Sequence, residues 1–333
     1  MSTHAVRIIE IENVKPHENA ERLEIVHIGG WSCVVAKGQF EPGSRAVYIE
    51  PDYVVPLDRP EFAFLKKPGS DKTEHRLKAI RLRGVISFGL LIPVPEPQAN
   101  RPTGTDVMEE LGIRRYEPPV KHPAGGLDDG LPEDQWPQVY ASKFDVDDLR
   151  KHEHLFREGE EVWVTEKIHG GNMRAVFHNG VLYVGSRGRW LKPDVPNHWT
   201  RALANTPQIE AWCRAHESTI LYGEVYGPVQ ELKYGLREPM FAAFAAAGMG
   251  EYFSLSTLYD SLAQWSVPRA PLLYKGPYDR ALIATLGEQD SHIESAPAGH
   301  MMEGVVIAPA IERRDDTIGR VALKLISNRY WLS

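Results

Sequence analysis

Between Gly112 and Tyr140 the chain carries Pro118, Pro119, Pro123, Pro132 and Pro137, the pair Gly125-Gly126 and an acidic patch at Asp128 and Asp129. Proline removes a backbone donor and fixes φ, so neither a helix nor a sheet ladder runs through such a stretch. The sequence is thereby cut into a shorter first part and a longer second one. At 333 residues, 42% of them hydrophobic, each part has enough apolar material for its own core. The expected division is a first domain over 1–111, a linker over 112–140 and a second domain over 141–333. Trp136 and Tyr140 are costly to leave in water, so the linker is expected to pack as an extended strap.

The first part is built from short apolar or alternating runs: Val6–Ile9, Leu23–Val26, Cys33–Ala36, Ala46–Ile49 and Gly89–Ile92. They have strand length, and turn pairs such as Gly29-Gly30, Pro42-Gly43 and Pro68-Gly69 punctuate them. Several short strands at close spacing predict a small closed β-barrel, which removes unpaired edges. The second part mixes strands and helices. Glu161–Thr165 alternates and runs straight into Lys167. Asn172–Phe177 and Val181–Val184 flank His178-Asn179-Gly180, a hairpin signal. Thr206-Pro207 reads as a cap and first-turn proline for a helix to about His216. Thr219–Tyr222, Met240–Ala246, Gly304–Ile307 and Arg320–Leu325 are further strands, giving an antiparallel-rich α+β domain.

Charge narrows the classes. The formal net charge is −7, which argues against a non-specific nucleic-acid coat protein. It leaves room for a local basic groove, and two clusters offer one: Lys72, Arg76, Lys78, Arg81 and Arg83, and Arg187, Arg189 and Lys192. The plain alternative for each is a solvated face. No run of about 18 apolar residues predicts a membrane span, and Met1-Ser2-Thr3-His4 lacks the character of a signal peptide. Cys33 and Cys213 are far apart and belong to no CxxC pair, which reads as two free thiols in a reducing cytoplasm. His152 and His154 are the nearest approach to metal-ligand spacing.

Chemistry concentrates in Thr165-Glu166-Lys167-Ile168-His169-Gly170-Gly171-Asn172. A lysine closing an apolar strand and followed by two glycines stands where the backbone turns sharply and approaches a ligand closely. Four further segments follow in order: Gly185-Ser186-Arg187, Leu221-Tyr222-Gly223-Glu224, Met302-Glu303-Gly304-Val305-Val306-Ile307 and Leu323-Lys324-Leu325. Together the five resemble the covalent nucleotidyltransferase superfamily of ligases and capping enzymes. His169, where DNA ligases have aspartate, resembles the KxHGxN form of RNA ligases. Val14–Leu23 and Ile80–Leu90 resemble tRNA-binding OB domains. An OB domain ahead of such a core is similar to the Deinococcus-type nick-sealing RNA ligases.

That resemblance implies an ATP-dependent RNA ligase that works with Mg²⁺ or Mn²⁺. Lys167 would take AMP from ATP, pass it to a 5′-phosphate end and release it as a 3′-hydroxyl attacks. Glu224 would hold the ribose, Phe244 would stack on adenine, and Glu166 would read the adenine amino group. Glu303, with Glu224, would position the metal, and Lys324 would contact the α-phosphate. Asn172 and Arg187 would engage the nucleotide or the 5′-phosphate end. A lysine's reference pKa is about 10.4, and neighbouring cations (Lys324, Arg187, a metal) favour loss of its proton. Ile326 departs from the family, which often carries a second lysine there. The implied partner is nucleic acid with 3′-hydroxyl and 5′-phosphate ends, a nicked duplex with RNA on the 3′-hydroxyl side, acted on by a cytoplasmic monomer. Two alternatives stand beside this reading. One is an RNA- or tRNA-binding protein with an inactive transferase core. The other is a DNA ligase or capping-type enzyme, which usually carries its OB domain after the closing lysine, where this sequence has nine residues.

Overall fold

The computed structural model describes residues 4–116, 129–141 and 143–333. The described residues divide into two compact units. One comprises those up to 116 with Trp331–Ser333, the other those from 129 to 330.

The N-terminal unit holds eleven short strands: β1 (Arg7–Glu10), β2 (Val14–Pro16), β3 (Leu23–Ile28), β4 (Trp31–Ala36), β5 (Arg45–Ile49), β6 (Tyr53–Pro56), β7 (Glu74–Arg76), β8 (Ile80–Leu82), β9 (Val85–Ser87), β10 (Leu90–Pro93) and β11 (Arg114–Arg115). They pair antiparallel in the orders β1-β5-β10, β11-β6-β7, β2-β3-β4 and β8-β9. Two cores form because alternate residues of β5 face opposite ways. Val47 and Ile49 pack with Ile8 and Val55 in one, and Ala46 and Tyr48 with Trp31 and Phe88 in the other. In the basic stretch, Arg76 is neutralised by Asp52 at 2.7 Å and lies over the Tyr116 ring. Cys33 is buried and free, as is Cys213 in the other unit.

The second unit has two five-stranded sheets. The first runs β12 (Asp147–Asp148), β23 (Leu323–Ile326), β20 (Gly304–Pro309), β13 (Glu161–Lys167) and β19 (Leu272–Pro277), antiparallel except for β12 against β23. The second runs β15 (Val181–Ser186), β14 (Gly170–His178), β16 (Thr219–Tyr226), β17 (Met240–Gly248) and β18 (Glu251–Tyr252), wholly antiparallel. The ribbon β21 (Arg314–Asp315) and β22 (Gly319–Arg320) stands apart. The β14–β15 hairpin turns at Asn179 (φ 49°) and Gly180 (φ 81°), the two positive φ values that its turn residues tolerate.

Among the described residues five helices cover the sheets, α1 (Leu149–His152), α2 (His198–Asn205), α3 (Gln208–Ala215), α4 (Leu255–Gln264) and α5 (Arg280–Gly287), and a sixth, the short α6 (Asn328–Trp331), follows β23. Trp199, Trp212 and Leu258 of α2, α3 and α4 meet Met173, Leu221 and Phe241 of the second sheet. Ile283 and Leu286 of α5 meet Val164, Val305 and Leu325 of the first. Asn197, Ser254 and Asp279 cap α2, α4 and α5 through their side chains. The expected cap at Thr206 is different in kind. Thr206 closes α2, its buried hydroxyl has no partner among the described residues, and only its carbonyl serves α3, accepting from the Ile209 N–H.

Much of the expected linker, 117–128, lies outside the described residues. From 129 onward it packs as a strap. Leu131, Trp136 and Val139 lie against the second sheet, and the Trp136 indole donates to the Leu131 carbonyl. Tyr140 does not join them: it is 72% exposed, edge-on to the glycine turn at Gly250. No helix among the described residues is long and apolar enough to cross a membrane.

Candidate active site

Lys167 is the last residue of β13, and three residues later the chain enters the other sheet as β14. The Ile168-His169 step therefore joins the two sheets at one end. In the register of the first sheet, Lys167 stands opposite Gly304 and Thr165 opposite Val306, which in turn faces Lys324. Side chains alternate along a strand, so Lys167, Thr165 and Lys324 share one face. Glu166 falls on the opposite face. Its two oxygens accept from the Ser291 hydroxyl at 2.6 Å and the His292 N–H at 2.7 Å. Burial pushes its pKa up, against both of those bonds. The carboxylate holds the 291–292 segment on the face away from Lys167.

Across the second sheet, Asn172 of β14 pairs with Glu224 of β16. Both side chains point the same way, beside Lys167. Trp199 fixes this corner, its indole donating to the Asn172 carbonyl at 2.9 Å. The two glycines of the motif have extended backbone, so the expected sharp turn is not their role. A Cβ on Gly170 would sit 2.1 Å from the Val225 carbonyl oxygen, whereas one on Gly171 would meet side chains alone, the Trp199 ring at 3.2 Å and Val229 at 3.8 Å. Gly170 is there because β14 and β16 come too close for any side chain. Gly304, beside Glu303, has the same reason: its Cβ would lie 2.2 Å from the Leu325 oxygen.

Charge is packed tightly here. Lys167 Nζ lies 2.7 Å from Glu303 Oε1, and His169 Nδ1 lies 3.3 Å from Glu303 Oε2. Burial alone would raise the Glu303 pKa, but the Lys167 and His169 cations outweigh it and bring it to about 2. Glu224 goes the other way. Burial is the largest cause and Glu303 adds to it; Lys167, His169 and a bond from the Gly170 N–H oppose, and the result is about 8. Two neighbouring carboxylates are thus split into one firmly ionised and one holding its proton at neutral pH. The His169 imidazole is raised, because Glu303 and Glu231 outweigh the burial that would lower it.

Phe244 sits at an irregularity of the β16–β17 pair, where Tyr222 faces Ala245 and Gly223 faces Ala243. It is the extra residue of this bulge, half-buried, with its ring 4.7 Å from that of Phe144. Arg187 is half-exposed and ion-paired with Asp145. Arg189 is paired with Asp129 at 2.6 Å. The structure thus brings Lys167, Glu224, Glu303 and Asn172 to one place, with Lys324 on the same face as the lysine. It sets Glu166 behind the sheet and ties Arg187 to Asp145.

The surroundings of His169 had no sequence signal. Its Nε2 meets Glu231 Oε2 at 3.0 Å, its main-chain N–H donates to the Tyr234 hydroxyl at 2.8 Å, and Tyr330 Oη lies 3.3 Å from Nδ1. These partners are 62, 65 and 161 residues away in sequence. Arg174 was also missed. It is buried with its guanidinium 4.3 Å from the Trp190 ring, and its Nε has no partner among the described residues.

A strand-end lysine held by a glutamate that immediately precedes β20, with a second glutamate on the facing sheet, defines a nucleotidyltransferase-like site. The family model described as RNA ligase matches residues 160–326, half of the chain, and an OB-fold domain model matches residues 5–94. The chain belongs to the RNA ligase family, enzymes that act on nucleic acid, and its N-terminal unit is an OB-fold domain. Solved structures agree on the fold. A lysine-to-alanine mutant of Naegleria gruberi RNA ligase with ATP and Mn is 24% identical, covers 98% of each chain and has a TM-score of 0.83. A lysine-to-methionine mutant of it with AMP and Mn is 24% identical, covers 98% of each chain and scores 0.82. An apo mutant is 25% identical, covers 98% of this chain and 97% of that one, and scores 0.83. No curated protein matches the sequence.

Proposed function

We propose that this RNA ligase uses ATP and seals 3′-hydroxyl/5′-phosphate breaks through a covalent AMP on Lys167. The carrying observation is the Lys167 amine held 2.7 Å from Glu303 beside Glu224, at the junction of the two sheets. The similar structures solved with ATP or AMP and Mn support the choice of nucleotide. In the first step the Lys167 Nζ lone pair forms a bond to the α-phosphorus, the bond to the bridging oxygen breaks and pyrophosphate leaves. Nζ gives up its proton to solvent. A 5′-phosphate oxygen then attacks the same phosphorus, the P–N bond breaks and Nζ regains a proton; a 3′-hydroxyl oxygen next attacks the 5′-phosphorus, gives its proton to solvent and displaces AMP to form the phosphodiester.

Asn172 and Glu224 share one face of β14 and β16, and we assign Glu224 to the ribose. Phe244 offers its half-buried ring to adenine, and Lys324, on the face of Lys167, balances charge on the α-phosphate. Arg187, once released from Asp145, is suited to a 5′-phosphate. Among the described residues no three acids or histidines cluster to hold a metal by themselves. Two carboxylates sharing one pocket, one of them pushed up to about 8, still fit a divalent cation, with phosphate oxygens and water completing its shell. Mg²⁺ or Mn²⁺ held by Glu303 and Glu224 would supply charge neutralisation at the phosphates. The favoured substrate is a nicked duplex with RNA on the 3′-hydroxyl side, and the divisions we assign are a nucleic-acid-binding domain 1–111, a linker 112–140 and an adenylation domain 141–333. Two buried free thiols suit a cytoplasmic enzyme, here taken as a monomer.

The test is to incubate the protein with ATP labelled on the α-phosphate and a divalent metal, beside Lys167→Ala. Label held through denaturing gel electrophoresis by wild type alone is the expected result. Absence of label with every metal and nucleotide would overturn the reading.

A further inference from the structure

The His169 ring has more acceptors than N–H groups. Its Nδ1 lies 3.3 Å from Glu303 Oε2 and also 3.3 Å from Tyr330 Oη; a carboxylate stands at each ring nitrogen, which assigns an N–H to both, and the Nδ1–H is then shared between two oxygens at long range. Nε2 is taken by Glu231 at 3.0 Å, and the backbone at this residue is pinned by Tyr234 at 2.8 Å. The ring can therefore change partner at Nδ1 without moving its pivot.

Tyr330 is itself held in place. It stands four residues past the end of β23, its N–H directed at the Ser327 hydroxyl. Glu288 accepts from the Asn328 N–H at 2.7 Å, and the Arg329 guanidinium meets Asp290 at 2.8 Å. Its ring centroid is 5.2 Å from that of His169. A phenol is neutral, so it competes weakly with a carboxylate for an imidazolium N–H. With Glu303 in place, the carboxylate is the stronger partner. With Glu303 turned away, the phenol is already within reach.

We propose that Tyr330 is a positioning residue that takes over the His169 Nδ1–H when Glu303 leaves it to engage the metal. This rests on the adenylyl-transfer reading above: Glu303 holds the Lys167 amine at 2.7 Å, and the pair has to part before the nitrogen lone pair can attack. Without the Tyr330 oxygen, releasing Glu303 would strand a buried N–H, and the released state would be disfavoured. The hydroxyl thus makes the exchange possible, while the ring serves only as packing.

Tyr330→Phe removes the oxygen and keeps the ring. With the full-length protein, the expected result is a single-turnover rate of lysyl-AMP formation about tenfold or more below wild type at saturating ATP. The ATP concentration for half-maximal rate stays unchanged. In a second measurement, Mn²⁺ is titrated calorimetrically into protein saturated with an ATP analogue that cannot be cleaved at the α-phosphate. Tyr330→Phe should bind Mn²⁺ several-fold more weakly than wild type, with an unaltered melting temperature. Wild-type rate and Mn²⁺ affinity in Tyr330→Phe would overturn the proposal. So would a loss of rate that follows a fall in melting temperature, with Mn²⁺ affinity intact. If wild type itself takes no label, the ligase reading fails and this inference fails with it. If wild type labels and Lys167→Ala does not, an unaffected Tyr330→Phe counts against Tyr330 alone.

Discussion

Gly170→Ala is the sharpest test of how the sheets set the site. The added methyl would lie 2.1 Å from the Val225 carbonyl oxygen, 2.9 Å from its carbon and 3.1 Å from Glu224 Cγ. The first two are backbone atoms in a fully paired strand, so no side-chain rotation relieves them. Ordinary van der Waals contact begins at 3.4 Å, and the strands must part by on the order of 1 Å to reach it. Overpacking of this kind costs about 3 kcal/mol. The same displacement carries Glu224 away from Lys167 and weakens its bond from the Gly170 N–H. A shift of about 1 Å in a reacting group is enough for a roughly 100-fold loss of rate. Gly171→Ala is the internal control, because its methyl meets only side chains, the Trp199 ring at 3.2 Å and Val229 at an ordinary 3.8 Å, and a ring can yield. It should cost less than about 1 kcal/mol and little rate. Denaturant unfolding midpoints and single-turnover formation of labelled lysyl-AMP measure both quantities. A Gly170→Ala protein as stable and active as wild type, or a Gly171→Ala protein worse than it, would refute the argument from strand separation.

Three other outcomes follow from the same geometry. Glu224, at about 8, keeps its proton in the fold over a range where the unfolded carboxyl, at about 4.3, has lost it. Its contribution to stability is therefore whole below about 4.3 and lost as pH rises through about 8; urea midpoints should fall over that interval, and Glu224→Gln should flatten the fall. Arg174→Met removes a buried guanidinium that stacks on Trp190 without a carboxylate partner among the described residues; thermal unfolding should show a neutral change or a gain of about 1 kcal/mol, and a loss beyond about 2 kcal/mol would mean the charge is compensated. Trp199→Phe deletes the indole bond to the Asn172 carbonyl and should cost about 1 kcal/mol in chemical unfolding, with lysyl-AMP formation slowed more than ATP binding is weakened.

What the sequence discloses is what is local. Strand alternation ending at Lys167, the Asn179-Gly180 turn and the apolar run at 240 each depend on neighbours within a few residues, and each lies where the pattern puts it. Helices α2, α4 and α5 were passed over, although Asn197, Ser254 and Asp279 stood in the sequence as caps; short amphipathic segments among many strands have weak periodicity, and the caps were the usable signal. Tyr140 misled because an aromatic side chain is costly in water only on average, and this one rests beside a glycine turn.

The site divides along the same line. Lys167, Glu224 and Glu303 come from separate segments, and motif order was enough to associate them. Alternation puts Glu166 on the face opposite Lys167, but it does not say what that face will meet. There the carboxylate meets Ser291 and His292. His169 shows the converse. It stands out only by its place two residues after the lysine, while Glu231, Tyr234 and Tyr330 reach it from two other stretches of chain. Such residues carry no motif of their own, because what selects them is the vacancy around a ring, and that vacancy exists only once both sheets are assembled. The Lys167–Glu303 pair is therefore set by register, which the sequence patterns encode. Its release is set by contacts that only the fold creates, so substitutions at Tyr330 and Gly170 test the part of the mechanism that motif reading cannot reach.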